Sequence, residues 1–217
     1  MPNPDQIYRV MTFIDYWDLQ ASLNESAGDW FTIDWKRFPN WLATQAVNYA
    51  HDLPTAELQP EAANIYVALD PSHPGDAELK EWAVGVLDGQ PGVRVVLGDR
   101  VTGPTSCNAC PLGGTPECRR CRASIAGSGG QTTTDAISVD IFRAAREEAF
   151  DVAVIVSSDT ALIPVARHLK TKGLLVVVCG FLPRGLEMSR ECSAFLDIGP
   201  LRAEFGEVTS RLSGHRP

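Results

Sequence analysis

The sequence predicts an α/β protein with a mostly parallel central sheet covered by helices on both faces. Three observations carry this. Short apolar runs bounded by polar or turn residues read as buried strands, segments of helical spacing lie between them, and the two kinds alternate in the order β, α, β, α, β. Right-handed crossovers then follow.

The first run, Val10 to Ile14, ends at Asp15, and its β-branched and aromatic content reads as a buried strand. Comparable strands are expected at Ile65 to Leu69, Val93 to Leu97, Val152 to Val156 and Leu174 to Val178. Helical spacing marks Trp35 to Tyr49, Ala77 to Leu87, Ile137 to Phe150 and Ala161 to Lys172. The last places Leu162, Val165, Ala166 and Leu169 on one face.

A chain of 217 residues, 44% hydrophobic and 21% charged, has the composition of a globular protein and fits one domain with an insertion. A formal charge of -8 argues against a nucleic-acid-binding surface spread over the whole molecule, so any such contact must be local. The same acidity suits a pocket in which carboxylates gather around divalent cations. Met1 to Arg9 is polar and proline-bearing, unlike a signal peptide. The longest apolar runs, Val152 to Val156 and Leu174 to Cys179, are too short to span a bilayer. The expectation is a cytoplasmic protein with no membrane contact. In that reducing compartment its six cysteines are metal ligands or buried thiols.

One stretch breaks the rhythm. Gly98 to Thr134 is rich in Gly, Pro, Ser, Thr and Cys and lacks apolar periodicity, which is long for a structureless loop in a compact domain. Within it, Cys107 and Cys110, then Cys118 and Cys121, form two C-x-x-C pairs separated by seven residues. Four thiolates at that spacing converge on one tetrahedral Zn²⁺ and close its coordination sphere, which makes the metal structural. Two local disulfides or redox-active dithiols are the alternative. Residues 103–131 are therefore expected to form an inserted zinc-binding loop. Arg119, Arg120 and Arg122 crowd the second pair and Arg100 precedes the loop, a basic projection suited either to an RNA backbone or to plain solvation. Cys179 and Cys192 have no metal-like spacing and are expected to be buried thiols.

In a parallel α/β sheet ligands bind at the carboxyl ends of the strands, where strand order reverses. Asp15 directly follows the first strand, Asp159 follows Val152 to Val156 through Ser157 and Ser158, and Asp135 opens the helix before that strand. One such aspartate is ordinarily a helix cap, whereas two or three at one edge point to a cation site. His51, His73, His168 and His215 form no paired spacing, and hard oxygen ligands without histidine suit Mg²⁺ or Mn²⁺.

The segment Phe13-Ile14-Asp15-Tyr16-Trp17-Asp18-Leu19 resembles the F-I-D-x-x-N-L opening of NYN domains. Thr134-Asp135 through Asp140, running on to Asp151 and Ser157-Ser158-Asp159, resembles the family's T-D-V-x-x-x-x-D helix and D-x-A-x-x-V-S-G-D-x-D strand end. The resemblance covers most of the chain. It implies a single three-layer, PIN-like (Rossmann-like) domain over residues 1–217 and a catalytic acidic pocket of Asp15, Asp135, Asp140 and Asp159. Asp15, Asp135 and Asp159, with Asp18 nearby, are its metal ligands, and single-stranded RNA is the substrate. Asp18 stands where the family commonly has Asn, Ser158 replaces the Gly of S-G-D, and Ala161 replaces that motif's final Asp.

The expected activity is a metal-dependent endoribonuclease that hydrolyses phosphodiester bonds, monomeric or as a homodimer. Ala161 supports an alternative, a catalytically impaired RNA-binding or regulatory module of the same fold. A haloacid-dehalogenase-like phosphatase needs aspartates two residues apart after the first strand, and Asp15 and Asp18 are three apart.

Overall fold

A computed structural model describes residues 7–49, 58–71, 73–100 and 131–209. Its main sheet contains strands β1 (Tyr8–Asp15), β3 (Leu58–Leu69), β4 (Val93–Asp99), β5 (Val152–Val156), β6 (Leu175–Gly180) and β7 (Ala194–Asp197). All run parallel, in the order β4-β3-β1-β5-β6-β7. A small antiparallel pair joins β2 (Phe31–Ile33) to β8 (Gly206–Val208). The helices are α1 (Tyr16–Ala27), α2 (Phe38–Tyr49), α3 (Pro74–Trp82), α4 (Gln131–Arg146), α5 (Ile163–Thr171) and α6 (Leu186–Ser189). The α/β class read from the sequence is the class observed.

Side-chain alternation along the central strands explains the layers. Val10, Ile14, Val154 and Val156 pack with Leu19 and Leu23 of α1 and Leu42 and Ala46 of α2. Their neighbours Phe13, Ala153 and Ile155 pack on the other face with Ile137 and Ile141 of α4 and Val165 and Leu169 of α5. Every residue of β5 is buried. At the amino edge, Asp151 accepts from the Arg9 backbone amide at 2.9 Å and from Arg9 Nε at 3.1 Å, which fastens the start of β1 to that of β5.

Several boundaries differ from the sequence reading. β1 passes straight into α1, a helix that apolar spacing does not announce because it buries Gln20 and Ser22 beside Leu19 and Leu23. Gln20 Nε2 is accommodated by donating to the Phe31 carbonyl at 2.7 Å. The helix expected from Trp35 starts at Phe38, after a turn in which the Asp34 carbonyl accepts from the Arg37 and Phe38 amides. Ala77 to Leu87 is α3, begun early at Pro74, followed by one π turn, Ala83–Leu87. The helix expected from Ile137 begins at Gln131, so Asp135 lies inside α4 instead of opening it. Residues 160–162 form a 3₁₀ turn ahead of α5. Strands β2, β7 and β8 span four residues or fewer and escaped the sequence reading.

Phe205, just ahead of β8, packs its ring on Phe31, Phe38 and Trp41, with centroids 6.0, 4.8 and 4.5 Å away, and so ties the small sheet to α2. Phe205→Ala should lower the unfolding free energy by about 3–5 kcal/mol in a urea titration. A loss below about 1 kcal/mol would show that this aromatic group does not hold α2.

Candidate active site at the carboxyl edge

From β1 the chain order moves outward to β3 and β4 on one side, and from β5 to β6 and β7 on the other, so the strand order reverses between β1 and β5. Such a reversal opens a crevice at the carboxyl ends of the two strands. Asp15 ends β1 there, and Ser157, Ser158 and Asp159 follow β5.

Asp15 is both the last residue of the strand and the N-cap of α1. Its Oδ1 accepts from the Trp17 amide at 3.1 Å and from the Asp18 amide at 3.2 Å. The residue is only 6% exposed. Burial pushes its carboxyl up to about 6, and the charges of Asp18 and Asp159 push the same way against the pull of the two amides.

Asp18 reaches across the crevice. Its Oδ1 accepts from Ser158 Oγ at 2.8 Å, and its Oδ2 accepts from the Ser158 backbone amide. Asp159 caps the 3₁₀ turn through the Ala161 amide at 2.9 Å, while its other oxygen accepts from Thr134 Oγ1 at the start of α4. Three carboxylates from two segments, the β1–α1 junction and the turn after β5, thus share one crevice. Among the described residues, none of the three makes an ion pair.

An anionic cluster with hard oxygen donors and no histidine suits a divalent cation in kind. As the side chains stand, no group of three or more His, Cys, Asp and Glu among the described residues is drawn together tightly enough to hold an ion. Ser158 and Thr134 donate to oxygens of Asp18 and Asp159. A carboxylate has about four lone-pair sites, so these contacts leave acceptor capacity on each.

Not every residue singled out from sequence joins this group. Asp135 is exposed on α4 and, among the described residues, makes no hydrogen bond or ion pair with the three. Asp140 belongs to a separate network. It accepts from the Tyr66 hydroxyl at 3.0 Å, pairs with Arg143 at 2.8 Å and lies 3.7 Å from Arg94, so its charge is already matched. Burial first, then the Asp140 charge, drives the Tyr66 hydroxyl pKa well above its ordinary value. Cys107, Cys110, Cys118, Cys121, Arg119, Arg120 and Arg122 lie outside the described residues. Cys179 and Cys192 are buried, and burial pushes both thiols up, as expected of inert core cysteines.

The sequence reading named Ser158, Thr134 and Arg100 without these roles and gave Trp17 none. Ser158 and Thr134 hold the carboxylates, and no spacing rule distinguishes a hydroxyl that does so. Trp17 donates its indole N–H to the Ala68 carbonyl at 2.7 Å, and the Arg100 guanidinium lies 4.3 Å over its ring. Arg100 is also 3.3 Å from buried Asp76, so it clamps the flank of the crevice instead of forming part of a free basic projection.

A parallel α/β domain with an acidic crevice at its strand-order reversal has its polar groups where sheets of this kind bind ligands. The chain belongs to the NYN domain family, whose model matches residues 9–199. That family lies in the PIN-like nuclease superfamily, which implies nuclease-type hydrolase chemistry on RNA. The fold is similar to the crystal structure of a protein of unknown function from Vibrio parahaemolyticus, at 16% identity and a TM-score of 0.52, covering 95% of this chain and 100% of that one. At that identity the likeness concerns the fold alone. No curated protein matches the chain.

The raised carboxyl pKa gives a stability test without any metal. Between the ordinary carboxylate range and about pH 6 the folded state binds a proton at Asp15 that the unfolded state has lost, so stability falls as pH rises through that window and is flat above it. Asp15→Asn keeps the capping oxygen and carries no charge. In metal-free buffer it should stabilise the protein at pH 7 by roughly 1–3 kcal/mol and by nothing near pH 4. Equal stability of the two proteins across pH 4–8 would refute this burial effect.

Proposed function

We propose that the chain is a divalent-metal-dependent endoribonuclease that hydrolyses phosphodiester bonds of single-stranded RNA, with Asp15, Asp18 and Asp159 holding Mg²⁺ or Mn²⁺. The observation that carries this reading is the gathering of these three carboxylates, without a cationic partner among the described residues, where β1 and β5 open the crevice. Family membership supplies the reaction class.

When bound, the cation supplies positive charge against the phosphodiester and makes water a better nucleophile. The chain's own residues set the stage. The two amides at the head of α1 fix the Asp15 carboxylate, Ser158 orients Asp18 from the opposite strand, and Thr134 orients Asp159 from α4. These donors set where the three carboxylates start from, and a cation would draw them closer together than they stand here. Asp135, being exposed, and Asp140, being matched by arginines, are assigned no metal-binding role here. The reading therefore rests on fewer aspartates than the sequence offered.

A structural Zn²⁺ held by Cys107, Cys110, Cys118 and Cys121 remains part of the proposal on spacing alone, as does RNA contact by Arg119, Arg120 and Arg122. A cytoplasmic site of action is also part of it; among the described residues no helix is long and apolar enough to cross a membrane. Ala161 favours a second reading, an RNA-binding or regulatory module without turnover, because it offers Asp159 a backbone amide and the site no carboxylate.

Cleavage of a single-stranded oligoribonucleotide by the zinc-loaded full chain with Mg²⁺ or Mn²⁺ distinguishes the two. Asp15→Asn and Asp159→Asn should each slow cleavage by roughly a hundredfold or more, and each should weaken Mn²⁺ binding in calorimetry. Cleavage that survives both substitutions sinks the assignment. RNA binding without turnover under any divalent ion selects the module.

A further inference from the structure

A second concavity opens on the same edge of the sheet. It encloses about 360 Å³ between α1 and the segments following β6 and β7, and its walls include Ser22, Glu25, Leu182, Arg184, Asp197 and Arg202. A larger cavity of about 580 Å³ lies against the starts of β3 and β4, at the edge where ligands of such sheets do not bind.

Helix geometry connects the smaller cavity to the aspartates. Asp18, Ser22 and Glu25 are spaced i, i+4 and i+7, so they share one face of α1, with Ser22 about 6 Å and Glu25 about 10 Å along the axis from Asp18. The sheet agrees, because β5, β6 and β7 are consecutive neighbours, and two strand spacings put the end of β7 about 10 Å from that of β5. Ser22 in the cavity wall thus lies one helical turn from Asp18.

The lining selects the occupant. Arg184 is bound to Glu25 at 2.7 Å, with side-chain exposures of 49% and 65%, a solvated pair of small net value that an anion can displace. Arg202 spends one N–H on the Gly199 carbonyl at 2.9 Å and keeps other donors of its guanidinium. Two guanidiniums suit a phosphate. A bare polyanion, however, would meet Asp197 as well, whereas a nucleotide brings an amino donor for that carboxylate along with its phosphate. Leu182, 51% exposed beside the opening, offers an apolar face to a base.

We propose that this cavity holds the nucleotide adjoining the cleaved bond of a single-stranded RNA, with a backbone phosphate on Arg184 and Arg202. The inference rests on the ribonuclease reading and gives the substrate strand its direction, from the aspartates along α1 toward β7. It also explains how a chain of charge -8 engages RNA through a local contact.

Fluorescence anisotropy with a labelled single-stranded oligoribonucleotide tests it, using the full chain carrying Asp15→Asn so that the RNA stays whole. Adding Arg184→Ala and Arg202→Ala together should weaken binding about tenfold and reduce the slope of log Kd against log salt by about 0.7, the share of one phosphate. Arg167→Ala on α5, whose partner is Glu191, should change neither. Glu25→Gln, which frees Arg184, should tighten binding about twofold to threefold, a gain that misfolding cannot imitate. If the parent binds RNA and the double variant binds it equally with the same slope, or if Glu25→Gln weakens binding, the cavity assignment falls while the nuclease reading stands. If neither the wild type nor the parent binds RNA, both fall together.

Discussion

β1 and β5 run side by side through the middle of the molecule with helices against both faces, and a strand sealed in that way has no place for a charge along its length. Polar chemistry is forced to the strand ends. At the amino edge the charges cancel, since Asp151 is matched by Arg9 and its carboxyl is held below the ordinary range by that hydrogen-bonded partner. At the carboxyl edge they do not cancel, and three carboxylates are left to one another and to neutral donors. The asymmetry between the two ends of the same strand pair is what marks one of them as a site.

Holding an unmatched carboxylate in a nearly closed crevice requires a scaffold that supplies donors without supplying a counter-charge. The direct passage from β1 into α1 does this, because the helix head offers Asp15 two amides that the helix itself cannot use. Ser158 and Thr134 extend the same solution to Asp18 and Asp159 with hydroxyls and another amide. Neutral donors lower the carboxylate energy without cancelling its field, so the crevice keeps its attraction for a cation. The residual cost is the raised Asp15 pKa, a local instability of the kind that functional sites retain.

How much of this was legible depended on the physics of each element. β5 was read to its exact bounds because a strand buried on both faces is apolar throughout. Helix α1 was invisible to periodicity because its buried face includes Gln20 and Ser22, made tolerable by hydrogen bonds that no residue pattern displays. The small β2 and β8 strands owe their pairing to Phe205 and its aromatic neighbours, a long-range contact. In the site, Asp15 and Asp159 were legible from their positions after strands. Asp140 looked alike in the sequence, and only the arrival of Arg94 from β4 and Tyr66 from β3 shows it to be a matched charge.

The departures from the family pattern gain meaning when taken together. An aspartate at position 18 in place of asparagine adds a charge and a second acceptor oxygen, and a serine at position 158 in place of glycine adds a hydroxyl donor. The two meet, Ser158 Oγ bonding one oxygen of Asp18 and the Ser158 amide the other. Glycine would keep the amide contact and lose the hydroxyl, leaving the added oxygen unsatisfied in a crevice that already disfavours charge. Ala161, by contrast, still gives Asp159 its capping amide, so what it removes is negative charge and not the hold on Asp159. Against the family pattern it resembles, the chain carries no carboxylate at position 161 and one at position 18, where Ser158 supports it. The carboxylate at position 18 stands on the face of α1 that Ser22 and Glu25 continue, toward the arginines beyond β6 and β7.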